Sequence, residues 1–144
     1  MYGLEKLEAV IMDFMDKSFL ETGVDIVEIS RVERMVKRWG SRFLERVYTK
    51  RERDYCENKY NSLAARFAAK EAVMKALRTG RMGIGWKDVE VVIVKNGAPS
   101  VEFHGRAETL GEQLAIRQIS LSLSHSEQYA VAFVVLLRSG DNRH

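Results

Sequence analysis

The sequence contains one cysteine, one proline and no apolar run of the roughly 20 residues that a membrane-spanning helix needs. Because Cys56 has no partner in the chain, an internal disulfide is excluded and a reducing compartment is expected. A basic start followed by a long apolar stretch is also absent, so we expect no secretion signal, no membrane partner and a cytoplasmic location. Neither a P-loop nor a G-x-S-x-G nucleophile elbow occurs in the chain.

The remaining composition is that of one compact globular domain. Hydrophobic residues make up 46% and charged residues 30% of 144 residues. At the N-terminus, apolar residues recur at helical intervals with acidic residues between them, which is typical of an amphipathic helix. We therefore predict a helical extension over residues 1–20, a main domain over 21–138 and a C-terminal tail over 139–144.

The order of the predicted elements favours an α+β fold, in which a mostly antiparallel sheet packs against a long buried helix. That helix is apolar nearly all round and is predicted to run from a capping Ser62 to Gly80. The dipeptide Asn96-Gly97 predicts a hairpin turn between two strands. Three further strands are predicted, at 23–29, 119–124 and 129–137. The last of them is apolar throughout and is predicted to be buried.

A basic helix is predicted after the first strand, starting with a capping box of Ser30 and Glu33. Its predicted buried stripe includes Trp39 and Phe43. Between residues 31 and 53 the chain carries nine Lys or Arg against three Glu, a local charge of +6 in a chain whose net charge is +3. A patch of one sign favours an anionic partner, although most charge runs are simply solvated faces.

Three polar residues occupy unusual places. Glu71 lies at the edge of the apolar stripe of the long helix, where it either pairs with Lys75 one turn later or has a ligand. Asp25 interrupts a β-branched strand, so it either faces solvent at an edge or has a ligand. Together the two carboxylates would offer the hard oxygen ligands that Mg²⁺ prefers. His125 follows an alternating strand and is either structural, solvent-facing or part of a site.

Four segments occur in a fixed order: GVDIVEISRVER, YTKRERDYC, RFAAKEAVMKALRTG and SLSHSEQYAVAFVV. Together they resemble the holo-[acyl-carrier-protein] synthases, a family of small bacterial phosphopantetheinyl transferases. The resemblance makes 21–138 the transferase domain and 1–20 an extension to it. It implies Mg²⁺-dependent transfer of the 4′-phosphopantetheine group of coenzyme A to a serine of apo acyl carrier protein, releasing adenosine 3′,5′-bisphosphate. It also implies a homotrimer with an active site at each subunit interface.

The resemblance further implies roles for individual residues. Asp25 and Glu71 would hold Mg²⁺, while Arg66, Lys75 and His125 would bind coenzyme A. The basic helix would dock the acyl carrier protein through five residues: Arg31, Met35, Arg38, Arg42 and Phe43. We expect Lys75 to balance charge on the leaving group, and Glu71, acting through a metal-bound water, to accept the serine proton.

Two other functions stay open from the residues alone. A magnesium-dependent phosphodiesterase would use the same carboxylates but would hydrolyse its substrate without a protein acceptor. An RNA-binding module would use the basic helix, but RNA recognition needs exposed aromatic side chains. Because Trp39 and Phe43 fall on the predicted buried stripe, no nucleic-acid partner is expected.

Overall fold

The computed structural model describes residues 2–78 and 83–140, with the backbone alone at 2 and 14–16. Its helices are α1 (Tyr2–Asp16), α2 (Ile29–Trp39), α3 (Ser41–Val47), α4 (Lys50–Cys56), α5 (Tyr60–Ala76) and α6 (Gly105–Gln113). Its strands are β1 (Ser18–Glu28), β2 (Val89–Ile93), β3 (Pro99–Phe103), β4 (Ile116–His125) and β5 (Tyr129–Ser139). The predicted helix end at Gly80 and residues 141–144 of the predicted tail lie outside the described residues.

The strands form a three-stranded sheet in the order β1-β5-β4 and a separate hairpin of β2 and β3. Every strand pair is antiparallel. Helix α5 packs on β1 and β5, and 12 of its 17 residues are buried. The predicted α+β fold, with an antiparallel sheet against a long buried helix, is thereby confirmed.

One glycine sets the distance between β1 and α5. A Cβ atom at Gly23 would lie 1.8 Å from the carbonyl oxygen of Ala72, far inside van der Waals contact. Only a residue without a side chain lets the strand approach the helix this closely. The next residue on the same face of β1 is Asp25, because side chains alternate along a strand. Gly23 thus brings Asp25 against α5.

Both predicted serine caps are wrong. Helix α2 begins at Ile29, whose backbone N–H donates to the Gln128 carbonyl at 2.9 Å, so a contact to the neighbouring turn replaces the side-chain cap. Helix α5 begins at Tyr60, which places Ser62 inside its first turn. A capping box does occur at α4, where Thr49 and Glu52 satisfy each other's backbone N–H groups.

Two surfaces predicted to be buried are exposed. Trp39 is 51% exposed, because α2 ends there and Gly40, with a φ of 55°, redirects the chain into α3. Strand β5 alternates rather than being buried throughout, since every second residue faces away from α5. That outward side, which we call the outer sheet face, contains five exposed apolar residues: Leu20, Val24, Ile26, Tyr129 and Phe133.

Helix α1 precedes β1 with only Lys17 between them. Strand β1 therefore begins within residues 1–20, and the domain boundary at residue 20 stays a prediction. None of the helices in the described part of the chain combines the length and the hydropathy needed to cross a membrane.

Candidate active site

A lysine and an aspartate meet where β1 crosses α5. The Lys75 ammonium donates to Asp25 Oδ1 at 3.1 Å and to the Val24 carbonyl at 3.0 Å. The Asp25 side chain is only 17% exposed, whereas Lys75 reaches in from the surface. A carboxylate in the middle of a strand is thus held at the edge of the core by a cation from the neighbouring helix.

Glu71 lies one turn before Lys75 on the same side of α5 and is partly buried. The pairing of Glu71 with Lys75, which the spacing allowed, does not form, because Lys75 turns to Asp25 instead. Within residues 2–78 and 83–140, no hydrogen bond or ion pair holds the Glu71 carboxylate. Asp25 and Glu71 therefore present two oxygen donors, one of them without a protein partner in the described chain. This donor set fits Mg²⁺, which takes one or two carboxylates and fills its other positions with water and phosphate oxygens.

A pocket of about 320 Å³ lies between α4, α5 and β4, with Arg66 and His125 in its wall. Arg66 is only 5% exposed, and its guanidinium lies 4.4 Å from the centre of the Tyr55 ring. Its Nη1 donates to the Ser62 carbonyl at 3.3 Å, while its buried Nε finds no hydrogen-bond acceptor among the described residues. A buried cation that lacks a carboxylate partner is suited to an anionic ligand.

His125 lies at the exposed rim of this pocket, where its Nε2 is 3.5 Å from Asn61 Nδ2. In the sheet, His125 pairs with Ala130 and Asp25 with Ala132, on the two sides of the central strand β5. Two strand spacings, about 10 Å, thus separate the strand of the histidine from that of the aspartate.

The residues predicted to dock a carrier protein lie on α2 and α3. Together these helices carry six basic residues, which we call the basic face: Arg31, Arg34, Lys37, Arg38, Arg42 and Arg46. A pocket of about 350 Å³ opens within it, lined by Met35, Trp39, Phe43 and two of the arginines. Arg38 lies 5.1 Å from the Trp39 ring, and Arg31 lies 5.8 Å from the Phe67 ring on α5.

A buried ion pair fixes α4 to α5. Lys70 Nζ lies 2.8 Å from Glu52 Oε1 and also donates to the carbonyl oxygens of Trp86 and Val89. Glu52 accepts from the backbone N–H of Thr49 and, with its second oxygen, from that of Val91. Burial lowers the pKa of Lys70, and the charge of Glu52 opposes that shift. The pair holds the α4 wall of the Arg66 pocket in place.

Sequence reasoning missed several residues of these surfaces. Tyr55 and Asn61 belong to the Arg66 pocket, although Tyr55 lies within a segment that carried the family resemblance. Trp39 belongs to the basic face and was assigned to the core. Its position, four residues from both Met35 and Phe43, was a signal that would have placed it beside them. Cys56 is not in the wall of the Arg66 pocket, and burial raises the pKa of its thiol to about 11.

A second acidic cluster lies on the β2–β3 hairpin, where ligand atoms of Glu90, Glu102 and His104 lie within 4.8 Å of one another. Arg51 already bridges both glutamates, at 3.3 Å and 3.1 Å. Burial on its own would raise the pKa of Glu90, but hydrogen bonds from Thr49 and His104 and the charge of Arg51 lower it. This cluster is a satisfied ion-pair network separate from Asp25 and Glu71.

Comparisons with known proteins agree with this geometry. Residues 21–134 match the family model described as the 4′-phosphopantetheinyl transferase superfamily. The holo-[acyl-carrier-protein] synthase of Koribacter versatilis is 50% identical over 121 residues, 81% of this chain and 97% of that protein. The synthase of Halothermothrix orenii is 47% identical over 116 residues, 78% of this chain and 93% of that protein.

Solved structures give the same result. The Helicobacter pylori holo-[acyl-carrier-protein] synthase, crystallised in complex with coenzyme A, has a TM-score of 0.74 and 34% identity, covering 80% of this chain and 98% of that one. The Neisseria meningitidis synthase has a TM-score of 0.74 and 33% identity, covering 81% of this chain and 96% of that one. The resemblance drawn from four sequence segments is thus confirmed, and the chain belongs to the 4′-phosphopantetheinyl transferase superfamily.

Proposed function

We propose that this protein is a holo-[acyl-carrier-protein] synthase. It transfers the 4′-phosphopantetheine group of coenzyme A to a serine of apo acyl carrier protein, giving holo acyl carrier protein and adenosine 3′,5′-bisphosphate. One observation carries the proposal. Helix α5 holds a buried arginine without a carboxylate partner in the described chain, and its Lys75 pairs with Asp25 of β1 one helical turn after Glu71. A cytoplasmic location is part of the same proposal.

Asp25 and Glu71 are the residues that would hold Mg²⁺. When bound, the ion would neutralise negative charge on the diphosphate oxygens of coenzyme A. Lys75, with its ammonium at Asp25, adds positive charge beside the group that leaves as adenosine bisphosphate. We assign the proton of the attacking serine hydroxyl to Glu71 acting through a water, because the Glu71 carboxylate would also hold Mg²⁺.

Arg66 and His125 are proposed to bind the phosphates of coenzyme A. The Arg66 guanidinium is already desolvated and oriented by Ser62 and the Tyr55 ring, so a phosphate gains a charge-assisted contact without ordering the side chain. His125 and Asn61 at the rim add further polar groups.

A homotrimer is proposed because one chain does not complete this arrangement. Arg66 and Lys75 are nine residues apart, so they project about 180° apart around α5. One points into the pocket beside β4, and the other points to β1. A coenzyme A molecule contacts both Arg66 and Lys75 when one copy supplies the arginine and a neighbouring copy supplies the lysine at their interface. The outer sheet face offers the apolar surface for such an assembly.

The basic face is proposed to dock the acidic acyl carrier protein. Its arginines surround the pocket of Met35, Trp39 and Phe43, which combines charge complementarity with an apolar anchor site. The exposed Trp39 removes the sequence argument against RNA binding, and the family relationship now provides the reason to prefer a carrier protein.

Variants at Arg66 and at the basic face test which surface binds coenzyme A and which binds the carrier protein. Transfer is followed as the mass gained by apo acyl carrier protein in the presence of coenzyme A and Mg²⁺. Arg66→Met should raise the KM for coenzyme A by about 10-fold or more, because it removes a charged hydrogen-bonding group. Arg31→Glu should raise the KM for the carrier and leave that for coenzyme A nearly unchanged.

Lys95→Glu is the matched control, since it makes the same charge change on the exposed turn of the β2–β3 hairpin. It should alter neither constant. An Arg31→Glu enzyme that loses affinity for coenzyme A and keeps it for the carrier would overturn the assignment of the two surfaces.

A further inference from the structure

Helix α1 is an amphipathic helix without a partner in the described chain. It lies outside the region that matches the family, residues 21–134. Every residue of α1 from 3 to 13 is exposed, including the apolar Leu4, Leu7 and Ile11, which lie at helical spacing. An isolated helix of 15 residues is marginal in water, and its stability normally comes from packing of its apolar face. A covering surface is therefore needed.

The charge of α1 is opposite to that of the basic face. The helix contains four acidic residues, Glu5, Glu8, Asp13 and Asp16, and one lysine, Lys6. Helices α2 and α3 contain six basic residues and only two acidic ones, Glu33 and Glu45. Complementary patches of this kind steer association and fix its register.

The two surfaces also match in their apolar parts. The basic face contains the pocket of about 350 Å³ lined by Met35, Trp39 and Phe43, in which Trp39 is half exposed. The row of Leu4, Leu7 and Ile11 on α1 is the pattern of an amphipathic helix that lies in an apolar groove. Glu8 lies beside this row on the surface of α1, and Arg42 and Arg46 line the groove.

Within one chain the two surfaces are kept apart. The strand β1 has 11 residues and leads from the end of α1 to the start of α2, a length of about 36 Å. Helix α1 is about 22 Å long, so folded back along β1 it would end about 14 Å before the start of α2, and in the structure its residues 3–13 are exposed. An α1 helix that occupies the basic face therefore comes from a second copy of the chain.

We propose that α1 of one copy docks on the basic face of a second copy and competes there with the acyl carrier protein. This regulation rests on the proposed function, because the carrier is assigned to the same face. Docked α1 covers the Met35–Trp39–Phe43 pocket, so the carrier has to displace it before transfer.

The test compares the double variant Glu5→Lys/Glu8→Lys with the unmodified protein, both as the full chain. Both glutamates are exposed and neither is assigned to the proposed Mg²⁺ or coenzyme A sites. The variant should lower the KM for apo carrier protein by about 3-fold or more while leaving kcat and the KM for coenzyme A unchanged. Glu108→Lys/Glu112→Lys on α6 is the matched control, with the same charge change at two exposed glutamates, and should leave the KM for the carrier unchanged.

Tryptophan emission gives a readout that does not depend on transfer. Of the two tryptophans, Trp86 is buried, so a change in emission reports Trp39. Undocking of α1 exposes Trp39, and the Glu5→Lys/Glu8→Lys variant should emit at longer wavelength than the unmodified protein and the α6 control. Identical emission in all three proteins would overturn the docking. A change in oligomeric mass without a change in emission would also overturn it, because that result indicates that α1 helices pair with each other. If emission shifts but no protein modifies the carrier, docking stands and the proposed function fails.

Discussion

Gly23 and Asp25 show how much of the site depends on single residues. The glycine lets β1 lie against the backbone of α5, and the aspartate two residues later then meets Lys75. The sequence identified Asp25 and Glu71 as carboxylates in unusual places, because their apolar neighbours predicted a buried strand and a buried helix. It did not identify the Lys75–Asp25 contact, since residues 50 positions apart in the chain are brought together only by the packing of a strand on a helix.

Asp25→Asn and Glu71→Gln should each lower kcat for transfer by about 100-fold or more, because each removes a charged oxygen donor from the proposed Mg²⁺ site and Glu71 also loses its capacity as a base. Both amides keep the size of the side chain, so thermal unfolding should change little. Calorimetric titration with Mg²⁺ in the presence of coenzyme A should show weakened binding in both variants. Near-normal transfer by either variant at saturating coenzyme A would refute the metal assignment, and Glu108→Gln, at an exposed carboxylate, is the control.

At the scale of elements, α5 was predicted best and the helix starts were predicted worst. A run of apolar residues all round a helix has one physical explanation, which is burial, so the central position of α5 follows from its composition. Serine caps are weaker signals, because tertiary contacts decide where a helix starts: the backbone N–H of Ile29, one residue before the predicted Ser30 cap, donates to the Gln128 carbonyl. The Lys70–Glu52 pair was missed because long charged residues are normally exposed, and only the tertiary structure reveals the carbonyl oxygens around Lys70.

Lys70→Met should lower the free energy of unfolding by about 3–5 kcal/mol, because it leaves Glu52 as a buried charge without its partner. The double variant Lys70→Met/Glu52→Gln should be more stable than the single one, since the glutamine is neutral and its oxygen still accepts from a backbone N–H. Urea unfolding of both proteins measures the difference. A cost below about 1 kcal/mol for Lys70→Met would show that the pair does not anchor α4, and Lys59→Met, at an exposed lysine, provides the baseline.

The whole molecule leaves apolar surface of its sheet exposed. The last strand is apolar on both faces, which predicted burial and supported a homotrimer, and within the described chain only the face toward α5 is covered. Its other side forms the outer sheet face with Leu20, Val24 and Ile26 of β1. A single sequence does not distinguish burial within a subunit from burial between subunits, because both select the same residue types.

Ile26→Asp should convert the proposed trimer into folded monomers that do not catalyse transfer, because a charge in the outer sheet face opposes assembly and a monomer separates Arg66 from the Lys75 of its neighbour. Sedimentation equilibrium at micromolar concentration measures the mass, and circular dichroism checks the fold. Val94→Asp places the same charge at an exposed apolar residue next to the β2–β3 turn and should leave both mass and activity unchanged. A monomeric unmodified enzyme, or a fully active Ile26→Asp monomer, would contradict an active site shared between subunits.

The central claim is transfer to a protein acceptor, and the release of adenosine 3′,5′-bisphosphate tests it most directly. The product is counted against the modified carrier in a reaction with coenzyme A and Mg²⁺, and again with a carrier whose acceptor serine is replaced by alanine. We predict one molecule released for each carrier modified, and none above background with the alanine carrier or without a carrier. Release that continues without an acceptor would contradict the account and would identify the protein as a phosphodiesterase that uses the same carboxylates.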